Sequence, residues 1–249
     1  MVKLAKCPLF RCSLHSFLLA AAILSCLPAA ARSAASANVM QFGAHADGKT
    51  DDTKAFQAAL DARAGAGGVV FAPAGNYYIA THLNIPSNVT LQGVWHAPPK
   101  ATHETGGTTL LAVEGAGSET GTPFITMNTN STLEGITVDY PNQSMTAIVP
   151  YPWCIASAGG DDDAIVNCLL VDPYQAVDFG THSAARHTIR GLYGQPLRAV
   201  SSPTSATISD GSKMSISGPF GLGTIIPTFS STWRKTRKRS SSADRTGRM

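Results

Sequence analysis

Short apolar runs separated by turn residues fill the chain between Asn38 and Arg198. Asn38 to Gly43 (NVMQFG) alternates apolar and polar positions, which predicts a short strand. Asp47-Gly48 reads as a turn. Thr50 or a neighbouring Asp is placed to cap a helix, with Asp51 and Asp52 near the positive end of its dipole. Ala55, Phe56, Ala59 and Leu60 recur at helical spacing, so a helix with one buried stripe is expected over Thr53–Arg63. Gly65-Ala66-Gly67-Gly68 stops it. The period then changes. Val69-Val70-Phe71, Tyr77-Tyr78-Ile79, Leu83-Asn84-Ile85 and Asn88 to Gly93 read as strands divided by turns such as Pro73-Ala74-Gly75. No second helical stripe follows Arg63.

Self-similarity points to the architecture. TLEGITVDYP from Thr132, IVNCLLVDPY from Ile165 and TIRGLYGQPL from Thr188 align, with a fainter copy, TLQGVWHAP, from Thr90. The matched small residues are Gly93, Gly135, Cys168 and Gly191, at steps of 42, 33 and 23 residues. The shortest step suits one coil of a parallel β-helix, and the longer ones suit coils carrying inserted loops. The fold class expected is all-β. Leu133, Ile136, Val166, Leu169, Ile189 and Leu192 are expected inside the stack, under the Thr53–Arg63 helix at its N-terminal end.

Composition agrees with a folded body. Of 249 residues, 43% are hydrophobic and 14% charged, and Gly (23) and Pro (15) are frequent, which argues against a disordered chain and a coiled coil. The net charge of +3 conceals a segregation. Asn38 to Arg198 holds seven basic and fourteen acidic residues, whereas Trp233 to Met249 holds seven basic residues and one acid. An acidic body repels phosphates, so no nucleic-acid partner is expected. Met1 to Ala37 has a basic start (Lys3, Lys6, Arg11), an apolar run from Ser16 to Leu27 and an Ala35-Ser36-Ala37 cleavage site. That is the pattern of a secretory signal peptide, predicting an extracellular or periplasmic protein with no membrane attachment after cleavage. The expected organisation is signal peptide 1–37, β-helix 38–198 and tail 199–249. Cleavage leaves Cys154 and Cys168, for which a disulfide and two buried thiols are both open.

The stretches NVMQFGAHADGKTDDTKAFQAALDA and GGVVFAPAGNYYIATHLNIPSNVTLQG resemble the N-terminal region of the pectate lyase superfamily. They are most similar to its rhamnogalacturonase/epimerase-like group, related to family 28 glycoside hydrolases. The resemblance runs from Val39 to Gly93, and the coil repeats extend it to about Arg198. It implies a right-handed parallel β-helix (pectin lyase-like) with an N-terminal capping helix, and a carbohydrate-active protein working on pectin-like polysaccharide. Asp47, Asp51 and Asp52 in the first motif are read as turn and cap residues.

Polysaccharide-cleaving β-helices work on the outer face of the stack. Hydrolases there need paired carboxylates; lyases need a base and usually Ca²⁺ held by acids. Candidate catalytic residues are Asp161, Asp162, Asp178 and His182, and Asp161 and Asp163 are candidate Ca²⁺ ligands. Tyr140, Tyr151, Trp153 and Tyr174 are candidates for stacking on sugar rings, with apolar loop packing as the alternative. Family 28 hydrolases are expected to show Asn-Thr-Asp, Asp-Asp, Gly-His-Gly and Arg-x-Lys motifs on successive coils, and this chain has no such series. Lyase and hydrolase chemistry therefore both stay open, as does a non-catalytic glycan-binding or adhesin-like module.

After Arg198 the coil pattern gives way to Ser and Thr, ending in a basic stretch. Codons exist for DGSKMSISGPF (Asp210 to Phe220) that, read one nucleotide earlier, give GRIENVHFWPF, an apolar segment like a further coil. The tail is thus expected to be disordered or out of frame, leaving the β-helix incomplete. Its uncovered end would favour self-association, and the chain would be a truncated fragment, weakly active or inactive.

Overall fold

A computed structural model of the chain describes residues 36–96, 106–144, 146–182, 185–201 and 214–216. Nearly all of the signal-peptide segment and most of the tail lie outside the described residues, as do Cys7, Cys12 and Cys26. Among the described residues, sixteen short strands wind into a parallel β-helix with three faces. The first face holds β5 (Leu83–Ile85), β8 (Ile125–Met127), β11 (Trp153–Ser157), β13 (Gln175–Asp178) and β15 (Ala199–Ser201). The second holds β1 (Ala37–Asn38), β3 (Gly68–Phe71), β6 (Val89–Gln92), β9 (Thr132–Glu134) and the first halves of β12 (Ala164–Val171) and β14 (Thr188–Gly194). The third holds β2 (Asp47–Asp51), β4 (Gly75–Ile79), β7 (Thr108–Ala112), β10 (Ile136–Asp139), the second halves of β12 and β14, and β16 (Met214–Ile216). The ladder thus passes the boundary expected at Arg198 by two short strands.

Inside the stack, like positions pile on like. Val70, Leu91, Leu133, Ile165 and Ile189 form one interior row of the second face. Leu83, Ile125, Ile155 and Val177 form one of the first. Nearly all of these are fully buried, each such side chain contributing about 1.5–3 kcal/mol of transfer free energy.

The register corrects one part of the sequence reading. Thr132 pairs with Ala164 and Leu133 with Ile165, so the repeat at this coil is AIVNCLLVDP, displaced by one residue from IVNCLLVDPY. The corner residue that matches Gly135 and Gly191 is Asn167, not Cys168. Because side chains alternate along a strand, that slip exchanges the two sides. Ile165, Cys168 and Leu170 point inward, while Val166 is half-buried on the outside. Leu169 is buried too, but on the outer side of the third face. Thr109, Thr137 and Val171 are likewise outward and buried, so that face is covered. Leu133, Ile136, Ile189 and Leu192 are inside as expected.

Two corners set the coil geometry. Between the second and third faces, Gly135, Asn167 and Gly191 take left-handed backbone at φ 68°, 51° and 65°. A Cβ on Gly135 would meet the Gly93 carbonyl oxygen at 2.7 Å. Between the first and second faces, Asn88, Asn130, Asp162 and Arg186 are also left-handed. Asn130 Nδ2 donates to Asn88 Oδ1 at 2.8 Å, stacking one coil on the next.

The N-terminal end is closed as expected, with α1 over Thr53–Asp61. Ala55, Phe56, Ala59 and Leu60 are buried. Gln57 bonds both backbone groups of Asn84, accepting its N–H at 2.9 Å and donating to its carbonyl at 3.1 Å. The side chain thereby acts as a neighbouring strand for the open edge of β5. Asp51 accepts from the Thr53 N–H. Asp52 is buried and holds the preceding loop, accepting from the His45 and Ala46 N–H groups at 2.7 and 3.1 Å. Asp47 accepts from the Lys49 and Thr50 N–H groups and the Thr50 hydroxyl, which lowers its carboxyl to a pKa of about 2. Instead of a strand, Val39–Phe42 forms a 3₁₀ turn: Asn38 caps it by accepting from the Met40 N–H, and Gly43 ends it in left-handed backbone.

The disulfide alternative is not realised: Cys154 and Cys168 are free, fully buried thiols. They stand on different faces, and Cys168 Sγ is bonded to the Leu133 and Val166 carbonyls. Burial raises both thiols to a pKa of about 12.

Candidate functional site

The acidic run Asp161-Asp162-Asp163 forms the corner between the first and second faces. Arg186, one coil on, donates to both oxygens of Asp162 at 2.8 and 2.7 Å and lies 3.0 Å from Asp161 Oδ2. The guanidinium holds the Asp162 carboxyl below the usual range. Asp163 turns the other way, into the interior, where it is fully buried. It accepts from Ser157 Oγ at 2.8 Å and from Ser131, and its Oδ2 lies 3.9 Å from His187 Nδ1. Burial raises the Asp163 carboxyl and lowers the His187 imidazole, so both are driven toward their neutral forms. The run thus splits between a surface ion pair and the core. Asp161 and Asp163 do not converge on one point, and this donor arrangement does not fit Ca²⁺. No cluster of three or more acidic, His or Cys side chains suited to a metal ion occurs among the described residues.

Asp178 is buried at the end of β13 and accepts from the Gly180 and Thr181 N–H groups at 3.0 and 2.9 Å, fixing the following turn. His182 lies in that turn and is exposed. Tyr140 and Tyr151 are not exposed platforms: each is 1% exposed. Their rings pack at 5.0 Å, with Phe124 at 6.2 Å from Tyr140, where the third face turns into the first. Apolar packing explains these two.

Trp153 and Tyr174, in contrast, reach the surface at that same turn. Trp153 opens β11 and is half-buried. Gln175, which follows Tyr174, is its partner on the next coil. The two aromatic residues therefore line one rim, on coils about 4.8 Å apart. Beside Trp153 is a small recess of about 10 Å³, room for about one water, lined by Glu114, Thr122, Phe124, Tyr140, Pro152 and Trp153. The Glu114 carboxylate lies 3.5 Å from His82 Nδ1, and both side chains are half-exposed. One coil further, the Tyr174 hydroxyl donates to Glu119 Oε1 at 2.5 Å, which raises the Tyr174 phenol above its ordinary value. Arg198 lies over the Tyr174 ring at 5.7 Å and pairs with Glu119 Oε2 at 2.6 Å.

This rim offers what the acidic corner does not. An aromatic side chain that reaches the surface, as Trp153 does, is able to stack on the apolar face of a sugar ring. The adjacent carboxylate–imidazole pair can exchange a proton with a bound hydroxyl or sugar carbon acid. The sequence reading names Trp153 and Tyr174 as stacking candidates and does not name His82, Glu114, Glu119 or Arg198, which pair around them. The usable signal was the polar insert around Glu119 (GAGSETGT), which lengthens one coil between two apolar strands.

Residues 36–167 match the model of the family described as rhamnogalacturonase A/epimerase, pectate lyase-like. Alginate lyase 7 of Azotobacter vinelandii is 57% identical over 65 residues, which are 22% of this chain and 8% of that protein. Mannuronan C5-epimerase AlgE3 of the same organism is 47% identical over 64 residues, 22% of this chain and 4% of its own length. The chain thus spans less than a tenth of these curated relatives. Among solved structures, the A-module of the A. vinelandii mannuronan C-5 epimerase AlgE4 superposes with a TM-score of 0.50 at 19% identity, covering 72% of this chain and 53% of that one. At that identity the likeness is one of fold.

Proposed function

The chain belongs to the rhamnogalacturonase A/epimerase, pectate lyase-like family, and we propose that it is a carbohydrate-active β-helix that binds polysaccharide along the rim of Trp153 and Tyr174. The observation that carries this is that Trp153, which reaches the surface, lines a small recess together with Glu114, which is paired to His82. Relatives named as an alginate lyase and a mannuronan epimerase support a polymer of sugar acids, of the pectin or alginate type, as the ligand class. Glu114 and His82 are the residues we assign to proton transfer. Export through Met1 to Ala37 belongs to the same proposal, as does low turnover by this chain on its own.

A non-catalytic glycan-binding module is the second reading. It is favoured by the engagement of Asp161, Asp162, Asp163 and Asp178 in structural contacts. One experiment separates the two. The full chain is titrated with polygalacturonate and alginate, and the same mixtures are followed for unsaturated uronates, new reducing ends and C5 inversion. Binding abolished by Trp153→Ala places the ligand on the rim. Product formation lost in Glu114→Gln assigns an enzyme, and binding without product assigns a module. Binding indifferent to Trp153→Ala overturns the rim.

A further inference from the structure

The loop between β7 and β8 does not project from the stack. It folds back along the rim toward later coils. The Gly117 N–H donates to the Pro150 carbonyl at 2.8 Å, and Gln175 Nε2 donates to the Glu119 carbonyl at 2.9 Å. At the far end both oxygens of the Glu119 carboxylate are held, one by the Tyr174 hydroxyl and one by the Arg198 guanidinium. The asymmetry of this contact is informative. Tyr174 and Arg198 flank β13 and β15 on successive coils of the ladder. The carboxylate comes instead from an inserted loop of small and polar residues. A fixed hydroxyl and guanidinium, the latter set over an aromatic ring, form a receptor for a carboxylate.

We propose that Glu119 is a built-in stand-in for a ligand carboxylate. Tyr174 and Arg198 form a subsite for the acid group of a uronate-type sugar, and the 113–122 loop fills it with its own side chain until glycan displaces it. The inference rests on the rim being the glycan-binding surface. Displacement is energetically accessible because the ion pair is half-exposed, at 50% for Arg198 and 41% for Glu119. Such surface pairs contribute about 0–1 kcal/mol, and an incoming carboxylate that takes the Tyr174 hydroxyl and the Arg198 guanidinium replaces both contacts with equivalent ones. A neutral sugar gains nothing from this exchange. The loop therefore works as a latch that acidic glycans release and neutral glycans do not.

The test uses the full chain and its Glu119→Ala, Glu119→Gln, Arg198→Ala and Trp153→Ala variants. Each is titrated calorimetrically with a galacturonate hexamer and with a neutral gluco-oligosaccharide of equal length, after thermal melts verify folding. Removing the internal competitor in Glu119→Ala or Glu119→Gln should tighten the acidic oligosaccharide by up to about fivefold, the equivalent of ~1 kcal/mol, and leave the neutral one unchanged. Arg198→Ala should erase the preference for the acidic ligand. If Trp153→Ala abolishes binding while both Glu119 variants keep the wild-type ratio of acidic to neutral affinity, the latch is wrong and the rim stands. If neither wild type nor any Glu119 variant binds either oligosaccharide, the rim and the latch fall together.

Discussion

The exchange of inward and outward positions at β12 has a measurable consequence. Ile165 and Val166 are adjacent and both aliphatic, yet the register gives them opposite roles. Ile165 is fully buried and stacked between Leu133 and Ile189, so truncating it opens a void against the coils on both sides. Large-to-small changes at such sites cost about 2–5 kcal/mol, because the removed carbons lose burial and the space collapses only in part. Val166 is half-buried on the outer side, where substitutions fall within about 0.5 kcal/mol. For Ile165→Ala, a mid-range loss of ~3 kcal/mol corresponds to a drop in Tm of roughly 6–12 °C in a chain of this size. Val166→Ala should shift it by about 2 °C or less. Parallel melts of the two variants by circular dichroism at one concentration and scan rate decide the matter. Equal destabilisation, or a larger loss at Val166, would mean that IVNCLLVDPY is the true coil alignment and that the pairing of Ala164 with Thr132 is wrong.

Three further outcomes are expected. Gly135→Ala should destabilise by at least 1–3 kcal/mol in urea melts, since φ of 68° and a 2.7 Å approach to the Gly93 carbonyl leave no room for a methyl group; a neutral effect would remove the corner's steric rationale. Cys154 and Cys168 should resist alkylation in the native protein and both react after denaturation without reductant, as peptide mapping can show; a mixed population carrying a Cys154–Cys168 cross-link would contradict the buried-thiol assignment. Because the folded-state pKa of Asp47 is depressed to about 2, its contribution to stability is present above its unfolded pKa near 4 and is lost as pH falls toward 2. The stability gap between wild type and Asp47→Ala should therefore close over that window, and a gap that persists at pH 2 would show that the side chain acts through packing alone.

The parallel β-helix was legible because its coils repeat an apolar–small–apolar unit that sandwiches and barrels do not require. The corner within β12 was misplaced for a definite reason. Cys168 looked like the small residue, but the position demands left-handed backbone, which Asn167 adopts more readily than Cys. The segment NVMQFG shows the same competition between pattern and local chemistry. Its alternation suits a strand, yet the Asn38 cap and Gly43 wind it into a 3₁₀ turn. Tyr140 and Tyr151 lie near turns in sequence, but the coil closes over them, and volume rather than exposure determines their role. Trp153 and Tyr174 are candidates from sequence alone, but the charged groups beside them are not, because these residues come from separate coils. Glu114 and Glu119, Trp153, Tyr174 and Arg198 become neighbours only once the stacking register is known. Charge density pointed instead to Asp161-Asp162-Asp163, where the chain had used its acids to pin a corner and line a pocket of the core.

The coils differ in length by where they take their extra residues. Gln92, Glu134, Val166 and Arg190 lie one above another, so successive circuits use 42, 32 and 24 residues to arrive at the same place. Two long excursions, Val113–Pro123 and Tyr140–Pro152, fall at the passage from the third face to the first, the margin that bears the recess. The passages between first and second faces run to three, four, six and nine residues, and one connection between second and third faces, β6 to β7, takes fifteen. If that margin is the glycan-binding rim proposed above, the stacked strands and the binding loops are separable parts, and the loops are the ones free to vary. Grafting an excursion from a relative onto this margin should redirect which sugars are chosen while the ladder beneath keeps its melting behaviour.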